Sequence, residues 1–347
     1  MHIYEYLFAA FVVISILLAA TFMLTITSEP LRVSSERENL KSIAHTILTR
    51  ILLDPGDPID WGSNTSISVS DLKSFGLAYQ RYEVSPKDAY VLDPDKISRL
   101  NKNNPFYISP IEVRKLLGLS DEYGFTIELL PALNIEVNQT EVNKYKISVK
   151  SIYNVRPLSD ANVTARIYYI MGNGLIGDHL IGPYTTGPDG ATEEIDVSEF
   201  GNNYVIIFVV EYYDIIVPKL IGHNVNWSYL TGDILRLYAS PISSEEVITS
   251  PKNGGYEVES LTVSLQYLNP HPNGGNLYNV SFVEPGFIAV LASAGGDLVV
   301  ATKMLDHPYG TSSSITGSYP LGYVMEENVL IDGFSYVIRL YVWRLVW

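Results

Sequence analysis

The stretch that decides the reading is Leu7-Phe8-Ala9-Ala10-Phe11-Val12-Val13-Ile14-Ser15-Ile16-Leu17-Leu18-Ala19-Ala20-Thr21-Phe22-Met23-Leu24-Thr25-Ile26. It carries no charge, proline or glycine. At ~1.5 Å rise per residue such a helix covers ~30 Å, the thickness of a bilayer's hydrocarbon core. Ser15, Thr21 and Thr25 can satisfy their hydroxyls by bonding back to helix carbonyls. A helix buried in a soluble core is the bland alternative. The run lies beside a chain end and a polar helix follows it, which argues against that alternative; its length, the lack of lysine or arginine in Met1–Tyr6 and the lack of a small-residue cleavage site favour a retained anchor over a removed leader.

Working outward, Leu40, Ile43, Ala44, Ile47, Leu48 and Ile51 recur at helical spacing, so the helix is expected to continue to about Leu53, with a kink near Pro30. Asp54-Pro55-Gly56-Asp57-Pro58 ends it. Asp54, Asp57 and Asp60 are weak candidates for a metal; a turn with aspartates capping free amides is preferred. Asp93 and Pro94 start a short helix through Leu100, and Ser109, Pro110 and Glu112 start another with a capping box.

Beyond Tyr145 the period becomes two. Tyr145–Ser151 reads as a strand, Pro157–Tyr169 as a turn feeding a strand, and Tyr204–Tyr213 as a buried strand by its β-branched content. Further strands follow to Trp347, the final one closing a sheet. Asn173-Gly174 and Gly295-Gly296-Asp297 read as hairpin turns.

The expected fold is a long N-terminal transmembrane helix followed by mainly-β ectodomains that include a β-sandwich. The expected divisions are 1–53 (membrane and stalk helix), 54–135 (a small α+β head packed on the helix), 136–218 (a sandwich) and 219–347 (a second β domain).

Glu5 on a long apolar N-terminal helix that passes a proline into a globular head resembles the type IV pilin architecture. The stretches Leu52–Pro58, Asp60-Trp61, Phe75–Ala78 and Leu92–Lys96 resemble archaeal pilin-like surface proteins. The resemblance covers about the first third of the chain. It implies that Glu5 neutralises a neighbouring subunit's N-terminal amine, that Pro30 shapes the assembling helix, and that Leu7, Phe11, Val12, Ile14, Leu18 and Phe22 face lipid or a helix bundle. Pro157–Ala165 with Thr186–Thr192 resembles immunoglobulin-like repeats of surface proteins.

The chain has 38 acidic against 23 basic residues, a net charge of −15, and no cysteine. That argues against a nucleic-acid partner and removes thiolate chemistry and disulfides. No phosphate loop, nucleophile elbow or paired-histidine metal motif occurs, so no enzyme activity, catalytic residue or cofactor is expected. Asp306-His307 is the one acid–histidine neighbour pair, and on an extended strand the two would face opposite ways. Sequons at Asn64, Asn138, Asn162, Asn226 and Asn279 fit a glycosylated surface protein. Trp227, Tyr229 and Tyr184 could stack on sugars, but aromatics buried in a sandwich are the commoner case.

The function expected from all this is a structural subunit, or minor or tip component, of an archaeal surface filament. Its partners would be membrane lipid and other pilin-like subunits, with glycans possible. It would sit in the cell membrane as a single-pass protein, or in an extracellular filament. A non-polymerising anchored module that binds a glycan or a surface-layer partner is the alternative.

Overall fold

A computed structural model of the chain describes residues 2–79, 90–237, 245–248, 260–263, 265–270, 274–280, 288–292, 295–311 and 322–344. Side chains at 23–34 and at a few other positions, Glu5, Leu7 and Pro30 among them, lie outside that description.

Helix α1 (His2–Leu53) runs 52 residues and continues through Pro30 as one element. Its last four turns are amphipathic. Leu40, Ala44, Ile47, Leu48, Ile51 and Leu52 are buried, while Lys41, Ser42, Thr46 and Arg50 stay outside or at the rim. That face packs on a five-stranded sheet ordered β1 (Val91–Leu92), β19 (Gly322–Ile331), β20 (Phe334–Arg344), β2 (Tyr123–Pro131), β18 (Tyr309–Gly310). On β20, Phe334, Tyr336, Ile338, Leu340 and Val342 alternate into the same core, as period two requires. Trp61, Phe75, Leu92 and Ile97 complete that core from the connecting segments.

Two short helices border the head. In α2 (Pro94–Ser98) the Asp93 carboxylate accepts from the backbone N–H groups of Asp95 and Lys96 at 2.9 and 3.4 Å, as expected of an N-cap. In α3 (Pro110–Leu116) the expected Ser109 capping box is absent, because Ser109 makes no side-chain cap bond. A reciprocal contact of that kind occurs instead before the 3-10 turn Val69–Asp71. There Asp71 accepts from both Ser68 N–H and Ser68 Oγ–H, at 2.8 and 2.7 Å.

The middle of the chain is a β-sandwich. Strands β3 (Leu133–Glu141), β4 (Lys144–Ser151) and β7 (Ile195–Asp196) form one sheet. Strands β6 (Ile176–Thr185), β5 (Asn162–Ile170), β8 (Tyr204–Tyr212) and β9 (Ile215–His223) form the other. Ile147, Val149, Val163, Ile167, Ile206 and Phe208 fill the space between them. The opposite face of β8, Val205, Ile207 and Val209, belongs to the main core instead. Burial on both faces is why that strand has no polar alternation.

A third group follows. Its six-stranded sheet is ordered β14 (Leu265–Pro270), β15 (Asn276–Val280), β11 (Ile234–Leu237), β10 (Val225–Thr231), β17 (Leu298–Thr302), β16 (Ile288–Ala292). Beside it β12 (Glu245–Ile248) pairs with β13 (Ser260–Val263).

Two expectations need correction. The first is the transmembrane helix as the defining element. The chain is mainly β, and among the described residues no helix is long and apolar enough to cross a membrane. The C-terminal third of α1 is committed to the sheet. The second is the partition of the chain. Residues expected in the last domain, β18, β19 and β20, share one sheet with β1 and β2 of the expected 54–135 head. Thr126 lies opposite Tyr341 and Glu128 opposite Arg339. The closing strand is thus central to the head, where both its edges are paired.

Candidate functional site

The most developed concavity with converging polar groups is a cleft of about 430 Å³ where the sandwich meets the third sheet. Its floor starts from β10. Period-two geometry puts Val225, Trp227 and Tyr229 on one face, while the intervening Ser228 turns inward and donates to the Arg236 carbonyl at 2.5 Å. Trp227 is 51 % exposed, unusual for so large an apolar ring. Beneath it lies Gly222 of β9. A Cβ there would sit 2.2 Å from Val225 Cγ2 and 3.2 Å from Trp227 Cζ2, so the absent side chain lets β9 pack closely on Val225 and beside the indole.

The facing wall is Pro131 together with Pro218, Lys219 and Leu220. The rim is the loop after β17, which brings in Met304, Asp306 and His307. Tyr229 donates its hydroxyl to Asp306 Oδ2 at 2.5 Å, which fixes the phenol ring. Burial, then the neighbouring Asp306 carboxylate, pushes the Tyr229 phenol up to about 12.

That loop is positioned from below by the α2 segment. Asn101 donates to the Met304 carbonyl at 2.5 Å and accepts from Asp306 N–H at 3.0 Å. Lys303, fully buried, lies 2.6 Å from Asp95 Oδ1. Its ammonium is off the angle for a hydrogen bond, so the contact is an ion pair. The same carboxylate oxygen accepts from Gly232 N–H at 2.7 Å. Alongside, Lys96 donates to the Ala78 carbonyl at 2.9 Å and stands 3.5 Å from Asp93. Burial lowers Lys96 and raises Asp93, since it disfavours charge on both. Asn104 bridges Ser98 and Thr231, and Arg99 donates to the carbonyls of Trp61, Ile67 and Phe106. This polar cluster ties the head to the third sheet and sets the height of the cleft rim.

A larger depression of about 570 Å³ lies along the outer side of α1 by His45, Thr49, Arg50 and Leu53. One helix and one turn line it, with no polar groups converging across it, so it offers no site.

The sequence-predicted residues distribute as follows. Phe11, Ile14, Leu18 and Phe22 are 56–69 % exposed on α1, and Val12 is 38 % exposed. The side chains of Glu5, Leu7 and Pro30 are outside the described residues. Ser15 and Thr21 donate back to the Phe11 and Leu17 carbonyls at 2.8 and 2.6 Å. The weak metal candidates are engaged one by one: Asp54 accepts from Gly56 N–H, Asp57 pairs with Lys73, and Asp60 accepts from Asn64. Among the described residues no three metal-ligating side chains converge. Of the sequon asparagines, Asn138, Asn162 and Asn226 are exposed, whereas Asn64 and Asn279 are half-buried. Tyr184 packs against the sandwich core, away from the cleft. Asp306 and His307 line one cleft together, contrary to the strand-based expectation, because they stand on a loop. The contributions of Pro131, Lys219 and Met304 carry no signal in the sequence.

Compared with protein-family models, with curated proteins and with solved structures, the chain matches none.

Proposed function

We propose that the protein is a pilin-like structural subunit of an archaeal-type surface filament, assembled through the N-terminal half of α1. One observation carries this reading. The C-terminal end of α1 is buried against the β19–β20 part of the five-stranded sheet, while Phe8, Phe11, Ile14, Leu17, Leu18 and Phe22 are bare. An apolar surface of this length rimmed by a folded head marks an association site. Helices from neighbouring copies would bury it against one another, leaving the acidic β-rich heads outside. The seven-strand sandwich is read as immunoglobulin-like, a module carried on the head. The whole belongs at the cell surface.

The test is assembly in aqueous buffer. Full-length protein freed of detergent is expected to form filaments or large oligomers, visible by electron microscopy. Phe11→Glu combined with Leu18→Glu should leave a monodisperse monomer with an unchanged far-ultraviolet spectrum. A parent protein that stays monomeric at high concentration overturns the reading.

A further inference from the structure

We propose that the cleft between β9, β10 and the loop after β17 is a binding site for a neutral saccharide. This goes beyond the assembly reading and does not depend on it.

The argument starts from the two aromatic rings. Trp227 and Tyr229 sit two residues apart on one strand face, so their platforms repeat at ~7 Å. A half-exposed indole over a glycine is held in place without being used in the core. Sugar rings present flat apolar C–H faces that stack on such platforms, with polar hydroxyls at the edges. The cleft supplies complementary edge groups. Asp306 uses Oδ2 to accept from Tyr229 and has Oδ1 for a vicinal hydroxyl. Lys219 and His307 line the same space and can donate. Met304, Leu220 and the two prolines give the remaining apolar wall. The size, about 430 Å³, suits one or two sugar rings.

Charge narrows the ligand class. Nucleobases also stack on aromatic rings, but a nucleic acid would meet a molecule with net charge −15. Asp306 at the rim repels an acidic polysaccharide in the same way. A neutral sugar meets neither penalty. The rim is also pre-set: Asn101 fixes the backbone on both sides of the loop, and Lys303 is anchored to Asp95. A site built in advance loses less on ordering when it binds.

The experiment uses the full chain in a detergent whose headgroup contains no sugar, since α1 exposes an apolar surface. The probes are triacetylchitotriose, mannotriose and maltotriose, followed by titration calorimetry and by saturation-transfer NMR. At least one is expected to bind at millimolar concentration or better. Trp227→Ala should weaken it about tenfold and Trp227→Phe by much less, since the stacking face survives. Asp306→Asn should weaken it severalfold. If none of the probes binds, or if Trp227→Ala binds as the parent does, the proposal fails. It also fails if a proline-rich peptide binds in a Trp227-dependent manner while the sugars do not. None of these outcomes bears on filament formation, which is read separately by microscopy.

Discussion

Tyr229 shows how one residue can report on the cleft. Its phenol is held protonated to about 12 by burial and by Asp306, against an ordinary value of 10. The folded state therefore keeps a proton that the unfolded chain gives up near pH 10. Stability from this group is present below pH 10 and is lost as pH rises towards about 12. Tyr229→Phe should cost about 0.5–1.5 kcal/mol at pH 7 through the lost bond to the solvent-exposed Asp306 carboxylate. It should also flatten the alkaline fall in denaturation midpoint between pH 10 and 12. An unchanged alkaline slope would remove Tyr229 as its source. At this scale the sequence was partly informative. Asp93 followed by Pro94 announced its cap, whereas Trp227, more readily read as a buried sandwich aromatic, is half exposed. Ser109 announced a cap it does not make, and Lys303 gave no sign that it is fully buried against Asp95.

At the scale of elements, α1 has two roles along one axis. Leu48 is 2 % exposed and sits among Ile47, Ile51 and the β19–β20 core, whereas Leu18 is 67 % exposed. Leu48→Ala should destabilise the head by about 2–5 kcal/mol, read by chemical denaturation, because a cavity opens in a packed core. A loss below about 1 kcal/mol would mean the helix is not seated on the sheet. Charges reinforce the seat. Arg344 at the end of β20 lies 3.5 Å from Glu36 of α1 and 3.3 Å from Glu122. Across the sheet Arg339 reaches Glu326 at 2.5 Å and Glu128 at 3.6 Å, linking three adjacent strands. The amphipathic end of α1 and the burial of β8 were legible, since residue pattern is a local property. The pairing of β20 with β2 was not, since nothing within either strand names a partner so distant along the chain.

For the whole molecule, the decisive contact is Asp95 with Lys303 and Gly232. It joins the head to the third sheet, and Asn101 extends it to the cleft. Removing one member leaves a buried charge unpaired, at about 3–5 kcal/mol. Asp95→Ala is expected to lower the melting temperature and to raise amide exchange in residues 225–237 and 298–306 more than in the sandwich. Adding Lys303→Met should restore part of the loss. Uniform exchange throughout the chain would show that the three units unfold as one. The cleft itself was hard to read from the sequence because its walls come from separate segments near 131, 219, 228 and 306. Only the fold brings them together.

The placement of β20 between β2 and β19 has a consequence for biosynthesis. During translation the inner side of α1 is made early, and its seat arrives some three hundred residues later. Until then that greasy stripe has only the part of its core supplied by residues such as Trp61, Phe75, Leu92 and Phe125. A ribosome that stalls between residues 223 and 334 releases a chain with every strand of the sandwich and an unfinished head, which proteases can recognise and clear.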